Sequence, residues 1–258
     1  MTRPKTKVNE LEGGLYLAQG DALLWLKSLD EGVADCVITD IPYASLEKHR
    51  SKGTTTRLSK SKSSSNDWFR VIPNSVLPEL CRELYRVLKP KTHCYMFCDD
   101  ETSDLLKKAG MEAGFYCWKR LVWNKEAMGM GYHYRSQYEF ILFFEKGTSK
   151  WVPQEGKSFK GTRQLNSRSI SDILSHKRIR SSDSYPTEKP VDLLEVLVMN
   201  STSRGELVMD PFMGSGNTGE ASLKNGRYFW GCDISDESLL RSEKLLLPYS
   251  FVAEFTDE

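Results

Sequence analysis

The sequence has no long hydrophobic run and no paired metal-binding cysteines. No segment approaches the roughly 18 consecutive apolar residues of a membrane-spanning helix, and the polar first ten residues are unlike a signal peptide. The six cysteines stand singly, without a CxxC pair, so we interpret them as reduced core residues rather than as disulfides or zinc ligands. We therefore expect a cytoplasmic protein with no membrane segment and no metal centre.

The sequence also lacks a large net charge, although its charges are unevenly spread. The 258 residues sum to +1. Residues 46–65 contain six basic residues and one acidic residue, and residues 156–182 contain seven basic residues and one acidic residue. Two such concentrations favour binding to an anionic polymer. Two solvated surface loops are the alternative that charge alone leaves open.

The apolar pattern predicts strands and helices in alternation. The predicted strands are 15–18, 33–39, 92–98, 115–123, 138–144, 206–209 and 228–232, and the predicted helices are 22–29, 76–88, 102–109, 191–200, 219–225 and 236–246. This order predicts an α/β fold in a single domain, residues 1–258, with a mostly parallel sheet and helices on both faces. Two insertions interrupt it: a Ser/Thr-rich loop at 46–66, expected to be mobile, and a polar, basic segment at 147–185.

A glycine-rich loop follows the predicted strand 206–209. Its sequence is Asp210-Pro-Phe-Met-Gly-Ser-Gly-Asn-Thr218, and Gly214 and Gly216 allow a ligand to approach the backbone closely. The next strand ends at Asp233, where a carboxylate can bind the ribose hydroxyls of a nucleoside. The loop is neither GxGxxG nor a Walker loop, and a tight turn without a ligand is the alternative.

A second loop, Asp40-Ile-Pro-Tyr43, closes the apolar strand 33–39. The tyrosine ring can stack on a planar base, while the Asp40 carboxylate and the Ile41 carbonyl accept hydrogen bonds from an exocyclic amino group. Accepting both protons increases the electron density on a nitrogen whose lone pair is otherwise delocalised into the ring. The combination therefore suits attack by an amino nitrogen on an electrophile, and an ordinary turn at Pro42 is the alternative.

Together the two loops resemble the motifs of S-adenosylmethionine-dependent DNA amino-methyltransferases. Asp40-Ile-Pro-Tyr43 is similar to their Asp-Pro-Pro-Tyr catalytic motif, and the loop from Asp210 to Gly216 is similar to their Asp-Pro-Phe-x-Gly-Ser-Gly cofactor loop. Further matching segments are Gln19-Gly-Asp21, Trp123-Asn-Lys125, the stretch 138–144 and Thr187-Glu-Lys-Pro190. The resemblance covers residues 15–246 outside the basic segments, and the order of the motifs is that of the permuted β group.

The resemblance implies a Rossmann-like methyltransferase fold with a seven-stranded sheet, and S-adenosylmethionine as the cofactor. It implies that the catalytic residues are Asp40, Ile41, Pro42 and Tyr43. The implied cofactor-binding residues are Asp21, Lys189, Asp210, Phe212, Gly214, Ser215, Gly216, Asn217, Thr218 and Asp233. Direct methyl transfer to an exocyclic amino group needs no metal and no covalent nucleophile, and the target base must flip out of the duplex.

One residue departs from the catalytic motif, because Ile41 stands where the family has proline. Ile41 keeps its backbone carbonyl, so we expect catalysis to survive with a less rigid loop. Asp40, in place of serine, favours adenine N6 over cytosine N4 as the target. The alternatives are an N4-cytosine DNA methyltransferase, an RNA or protein-amide methyltransferase, and a nucleic-acid-binding relative that has lost catalysis.

DNA is the expected partner, and three regions are expected to contact it. The predicted contacts are Arg50, Lys60 and Lys62 in the loop after Tyr43, Arg135 in the stretch 128–135, and Arg163, Arg168, Lys177, Arg178 and Arg180 in the segment where β-group enzymes recognise their target. A hairpin packed by its own aromatic residues is the alternative for 128–135. Relatives in the β group are often dimers, so the resemblance leaves a homodimer open.

Overall fold

The structure, a computed structural model, describes most of the chain between residues 8 and 250. The described residues are 8–11, 14–42, 44, 71–129, 133–147, 163–167, 169–179 and 188–250. The predictions made for Tyr43, Arg50, Lys60, Lys62, Arg168 and Arg180, and for the loop 46–66 as a whole, lie outside the described residues.

Strands and helices alternate along the described chain. The strands are β1 (Val8–Leu11), β2 (Leu15–Gln19), β3 (Ala34–Asp40), β4 (Leu88–Cys98), β5 (Tyr116–Asn124), β6 (Tyr138–Lys146), β7 (Ile173–Ser175), β8 (Leu207–Asp210) and β9 (Tyr228–Asp233). The helices are α1 (Ala22–Ser28), α2 (Leu77–Val87), α3 (Asp100–Glu112), α4 (Val191–Ser201), α5 (Asn217–Lys224) and α6 (Asp236–Ser250). Among these helices, none is long and apolar enough to cross a membrane.

The strands form one twisted sheet in the order β1-β2-β9-β8-β3-β4-β6-β5-β7. Only β1 and β6 run against the common direction of the described strands. The chain crosses the sheet between β3 and β8, which are parallel neighbours although 166 residues separate the end of one from the start of the other. In parallel sheets such a reversal of strand order opens a crevice at the carboxyl ends, where ligands bind.

The sheet is covered on both faces, and the residues of β3 show how. Val37 belongs to a hydrophobic cluster with α1, α2 and α3, whereas its neighbours Cys36 and Ile38 belong to a second cluster with α4, α5 and α6. Successive side chains of a strand point to opposite faces. A run of apolar residues without alternation is therefore what a doubly covered strand requires, and all three residues are fully buried.

The predicted α/β fold, with a mostly parallel sheet and helices on both faces, is confirmed. The predicted number of strands needs correction, because the described residues form nine strands, seven of which match the predicted ones. The two additional strands, β1 and β7, are short and lie at the sheet edges. Both lie in mainly polar stretches of the sequence, which contain too few apolar residues to show the periodicity on which a strand prediction depends.

The basic segment 147–185 packs on the sheet more closely than an insertion outside the core would. Its strand β7 pairs in parallel with β5, and Leu174 is buried in the second cluster. Asn166 donates through Nδ2 to the carbonyls of Met199 and Thr202 at 2.7 and 2.9 Å, which fastens the segment to the end of α4. The described part of the segment therefore extends the sheet by one strand.

The junction between α2 and β4 is also tighter than predicted. The helix ends at Val87 and the strand begins at Leu88, so the strand passes through Pro90, which lies between the predicted helix 76–88 and the predicted strand 92–98. The pairing with β3 shifts here, from Ala34 opposite Leu88 to Cys36 opposite His93. Proline has no N–H for the ladder, and an irregularity of this kind tolerates it at the start of a strand.

His93, near the start of β4, is a buried titratable group that makes stability depend on pH. Its Nδ1 lies 2.8 Å from the Ser201 hydroxyl, which also lies 2.6 Å from the Tyr95 hydroxyl. Burial, assisted by the positive charge of Arg163, lowers the pKa of His93 to about 4 from its ordinary 6.5. The unfolded chain therefore binds a proton more readily than the folded protein between these two pH values.

We predict that the free energy of unfolding falls by about 1 kcal/mol between pH 7.5 and pH 5.5 because of His93. The stability that comes from keeping His93 neutral is complete above pH 6.5 and is lost as the pH falls towards 4. The free energy of unfolding in urea, measured at both pH values for the wild type and for His93→Gln, tests this. The variant should lose less stability than the wild type over this interval. Equal losses in the two proteins would contradict the assignment to His93.

Candidate active site

Three carboxylates end three adjacent strands at the carboxyl edge of the sheet. Asp40, Asp210 and Asp233 are the last residues of β3, β8 and β9. The predictions placed Asp40 and Asp210 in the loops that follow, whereas both belong to the strands themselves. All three line a cavity of about 520 Å³, a volume in the range typical of small-molecule sites.

Asp210 ties the centre of the sheet to helix α5. Its Oδ1 accepts hydrogen bonds from the Thr39 hydroxyl at 2.8 Å and from the Phe212 N–H at 3.0 Å, and its Oδ2 accepts one from the Thr218 hydroxyl at 2.8 Å. Burial raises the pKa of Asp210 to about 7, although these donors oppose the rise. The carboxylate thus holds the start of the glycine loop in place through contacts within the chain alone.

The glycine loop between β8 and α5 has the conformation that its glycines permit. Gly214 and Gly216 have φ values of +50° and +89°, and the second residue caps α5. A Cβ atom on Gly216 would lie 2.8 Å from the Ser242 hydroxyl oxygen and 3.2 Å from the Ser242 Cα. Both the positive φ and the close approach of α6 therefore require glycine at this position.

Asp233 and Asp21 hold backbone groups around the same part of the cavity. Asp233 accepts from the Gly214 N–H at 3.0 Å and from the Ser235 N–H at 2.9 Å, one on each oxygen. Asp21 caps α1, because its Oδ1 accepts from the N–H groups of residues 23 and 24 at 3.0 Å. Asp233 and Asp21, which are both predicted to contact the cofactor, therefore also hold backbone N–H groups of the protein.

Asn217 connects the glycine loop to the Lys-Pro segment that precedes α4. Its Nδ2 donates to the Lys189 carbonyl at 2.8 Å, and its Oδ1 accepts from the Ser215 hydroxyl at 3.2 Å. Phe212, Gly214, Ser215, Asn217, Thr218 and Lys189 all line the cavity. The structure therefore brings these predicted cofactor residues together with the catalytic loop.

A chain of four charged side chains crosses the cavity wall next to Asp40. The Lys189 ammonium donates to Asp40 Oδ2 and lies 3.4 Å from Glu139 Oε2. Glu139 Oε1 in turn accepts from Lys125 at 2.5 Å. The Lys189 side chain is 10% exposed and the Asp40 side chain is 32% exposed, so the lysine is largely enclosed while the carboxylate remains accessible from the cavity.

This charge chain determines how the carboxylates titrate. Burial raises the pKa of Asp40, and Lys189 partly offsets this effect. Burial also acts to raise the pKa of Glu139, but its two lysine neighbours outweigh burial, so its pKa is lowered. For Lys189, burial lowers the pKa, but the two carboxylates outweigh it and the pKa rises. The lysine therefore stays charged between two carboxylates.

Ile41 and Pro42 follow Asp40 along the wall of the cavity. Ile41 occupies the position where the family motif has a proline. Its side chain is buried in the cluster beneath α2. The Pro42 carbonyl accepts from the Ile72 N–H at 2.7 Å, so residues 71–73 return to the loop and line the same cavity. An apolar side chain at position 41 thus anchors the loop in place of the proline ring.

The predicted DNA-contact residues lie in different places. Lys177 and Arg178 are exposed beyond the carboxyl end of β7, where the Arg178 N–H lies 3.4 Å from the Lys125 carbonyl. Arg135 is exposed and donates through Nε to the Gly129 carbonyl at 2.8 Å. Arg163 is not brought to this end. It forms a bidentate pair with Glu206, at 3.0 and 2.6 Å, before the start of β8.

Sequence reasoning assigned no function to Glu139 or Lys125, which the structure places beside Asp40. A signal was present, because Glu139 is a charged residue at the start of the apolar strand 138–144. A buried charge in such a strand needs a partner. The identity of that partner depends on β6 running antiparallel to β4 and β5, which local pattern does not reveal.

Comparison with known proteins agrees with this geometry. A family model described as DNA methylase matches residues 34–244. The chain belongs to the DNA methylase family. The methylase is 25% identical to the DNA adenine methyltransferase YhdJ of Escherichia coli K12 over 245 residues, which cover 86% of this chain and 79% of YhdJ. The family assignment confirms the resemblance and makes the methylase a DNA amino-methyltransferase that uses S-adenosylmethionine.

Two solved structures share the fold of the methylase. The DNA modification methylase TTHA0409 of Thermus thermophilus, in complex with S-adenosyl-L-methionine, has a TM-score of 0.63 at 21% identity, covering 92% of this chain and 95% of its own. The PvuII DNA methyltransferase, which is cytosine-N4-specific, has a TM-score of 0.67 at 14% identity, covering 96% of this chain and 89% of its own. At these identities the likeness establishes the fold.

We predict that Gly216→Ala weakens binding of S-adenosylmethionine to the methylase and lowers the free energy of unfolding by more than the roughly 1–2 kcal/mol of a left-handed alanine, because its Cβ also meets α6. The matched control is Gly205→Ala. Gly205 has a φ of +77° but no atom within 4 Å of its Cβ position, and it precedes β8 at the opposite edge of the sheet.

The control should lose stability without losing cofactor affinity. Calorimetric titration with S-adenosylmethionine and urea unfolding of both variants measure the two effects separately. Equal cofactor affinity in the two variants would contradict a cofactor role for the loop.

Proposed function

We propose that the methylase transfers the methyl group of S-adenosylmethionine to N6 of an adenine flipped out of duplex DNA. The observation that carries this proposal is the position of Asp40, which ends β3 and lines the same cavity as the glycine loop. One cavity thus offers a hydrogen-bond acceptor for an amino group next to a loop suited to a nucleoside. This is the arrangement that direct transfer between two bound groups requires.

The residues of the methylase position the nitrogen that attacks. Asp40 and the Ile41 carbonyl accept hydrogen bonds from the two amino N–H groups, which increases the electron density on the nitrogen, and Tyr43 stacks on the base. The bond from nitrogen to the methyl carbon forms as the bond from sulfur to that carbon breaks, and the proton that the nitrogen loses passes through Asp40 to solvent. When bound, S-adenosylmethionine supplies the electrophilic methyl group. Asp21, Asp210, Phe212, Asp233, the loop residues 214–218 and the backbone of Lys189, whose carbonyl accepts from Asn217, would hold the cofactor.

Base flipping follows from the same position. An amino group inside a duplex cannot reach a catalytic carboxylate in the wall of a cavity, so the base must leave the stack. Unstacking costs a few kcal/mol, which contacts to phosphates and stacking on Tyr43 offset. Lys177, Arg178 and Arg135 are exposed at the edge of the sheet that carries Asp40, a placement that supports a role in phosphate binding.

The choice of adenine rests on Asp40 in the catalytic motif and on the likeness to YhdJ, a DNA adenine methyltransferase. The second candidate is N4-cytosine methylation. The fold shared with the PvuII enzyme supports it, because that enzyme is cytosine-N4-specific. Adenine N6 and cytosine N4 are both exocyclic amino groups, so the acceptor chemistry at Asp40 serves either one. A DNA substrate implies a cytoplasmic enzyme, and a homodimer remains a prediction.

We predict that the purified methylase, given unmethylated DNA and S-adenosylmethionine, produces N6-methyladenine, and that Asp40→Ala lowers kcat by about 10²–10⁴-fold because the amino group loses its acceptor. Nucleoside mass spectrometry identifies the product. The matched control is Asp35→Asn, which removes a carboxylate near the other end of β3, where it pairs with Lys89. The control should lose stability and keep the reaction.

N4-methylcytosine as the product would keep the mechanism and replace the proposed target. DNA binding with no methylated base would contradict the proposed function.

We also predict that replacing Lys177 and Arg178 together by glutamine weakens DNA binding and makes it less sensitive to salt. Each lost phosphate contact reduces the slope of log K against log salt concentration by about 0.9. Fluorescence anisotropy of a labelled duplex between 50 and 200 mM salt measures this slope. Replacing Lys107 and Lys108 by glutamine is the control of equal charge, because both are exposed on α3. The control should retain the wild-type slope, and equal slopes in all three proteins would exclude this surface.

A further inference from the structure

Lys189 holds one specific oxygen of the catalytic carboxylate. It donates to Oδ2 of Asp40 and also lies 3.4 Å from Glu139 Oε2. The ammonium also lies over two aromatic rings, 5.3 Å from the centre of Phe97 and 5.9 Å from that of Trp123. Cation–π contacts and two carboxylates therefore define one position for this charge.

Glu139 is in turn held from its other side. Lys125 donates to Glu139 Oε1 at 2.5 Å and lies 5.3 Å from the centre of the Trp123 ring. The side chains of Glu139 and Lys125 are each 20% exposed. The four side chains form an alternating row of two ammonium groups and two carboxylates, so the row is neutral although it is largely enclosed. A single deletion would leave an uncompensated charge there.

We propose that Glu139 is a positioning residue for methyl transfer: together with Lys125 it keeps the Lys189 ammonium on Oδ2 of Asp40, so that Oδ1 is the oxygen that accepts the target amino group. This inference rests on the proposed function, because it assigns a partner to each oxygen of the catalytic carboxylate. Glu139 lies on β6, which β4 and β3 separate from the cofactor strand β8. Its effect should therefore fall on turnover and leave cofactor binding unchanged.

The charges that face Asp40 determine in which direction each variant should shift its pKa. Lys189, before α4, and Lys125, after β5, lower the pKa of Asp40, whereas burial and the Glu139 carboxylate raise it. Asp210, at the end of β8, and the Cys98 thiol, at the end of β4, also interact with Asp40. Asp40 must be ionised to accept a proton, so the acid limb of the kcat profile follows its titration, coupled to that of Glu139.

Two variants should shift that limb in opposite directions. Glu139→Gln removes a negative neighbour while Lys189 stays paired with Asp40, so the acid limb should move to lower pH. The kcat at pH 8 should fall by up to about 10²-fold because Lys189 is no longer confined to Oδ2 and can also occupy Oδ1. Lys125→Gln removes a positive neighbour, so the acid limb should move to higher pH. Binding of S-adenosylmethionine, measured by calorimetry, should match the wild type in both variants.

Glu145→Gln is the matched control. Glu145 lies six residues further along β6, at the other edge of the sheet, where it accepts from the Trp118 indole and the Arg163 N–H. This variant should lose stability and keep both the acid limb and kcat of the wild type. Urea unfolding of all four proteins shows whether each variant is folded under the assay conditions.

The outcomes separate this inference from the proposed function. If the wild type methylates no DNA, the proposed function fails. If the wild type methylates DNA but Glu139→Gln and Lys125→Gln keep its kcat and acid limb, the positioning role is wrong. Loss of activity in Glu139→Gln with an unshifted limb and a weakened KM for DNA would also overturn it, since that result would indicate direct contact with the base.

Discussion

The site depends on one buried carboxylate, Asp210, which joins three elements at the carboxyl edge of the sheet. Its two oxygens accept from the Thr39 and Thr218 hydroxyls and from the backbone of the glycine loop. Thr39 precedes Asp40 in β3, so the same carboxylate fixes both the catalytic strand and the first helical turn after the cofactor loop. Burial of a group that costs several kcal/mol when unpaired thus makes the relative position of the two motifs rigid.

Asp210 is buried and paired on both oxygens, but Asp40 has a different requirement. As the proposed catalytic acceptor it must be partly enclosed and still accept hydrogen bonds from a ligand. Full burial would favour the protonated acid, and full solvation would leave water on both oxygens. The methylase lies between these limits. Lys189 occupies one oxygen of Asp40 from inside the wall, and about a third of the Asp40 side chain is exposed. Glu139 and Lys125 extend this pairing, so that the four side chains together carry no net charge.

Most of the fold and the two motifs could be predicted from the sequence, because each depends on local pattern. The apolar strands, the glycine loop and the order of Asp40 and Asp210 need no knowledge of tertiary contacts. The edge strands β1 and β7 do not show in the sequence because both lie in polar stretches with few apolar residues. The ion pair of Arg163 with Glu206 and the position of Glu139 were missed because they join residues 43 and 50 positions from their partners.

The two ends of the parallel strands differ in role: the groups at the amino edge stabilise the fold, and those at the carboxyl edge form the candidate active site. At the amino edge, Arg163 pairs with Glu206 and Lys89 with Asp35, and His93 is enclosed with Ser201. At the carboxyl edge, charged groups also have partners, but they line the cavity that contains Asp40 and the glycine loop. The helices that connect parallel strands return the chain to the amino edge, whereas the cavity with Asp40 lies at the carboxyl edge. Substitutions near the amino edge should therefore act through unfolding, and those near Asp40 through turnover.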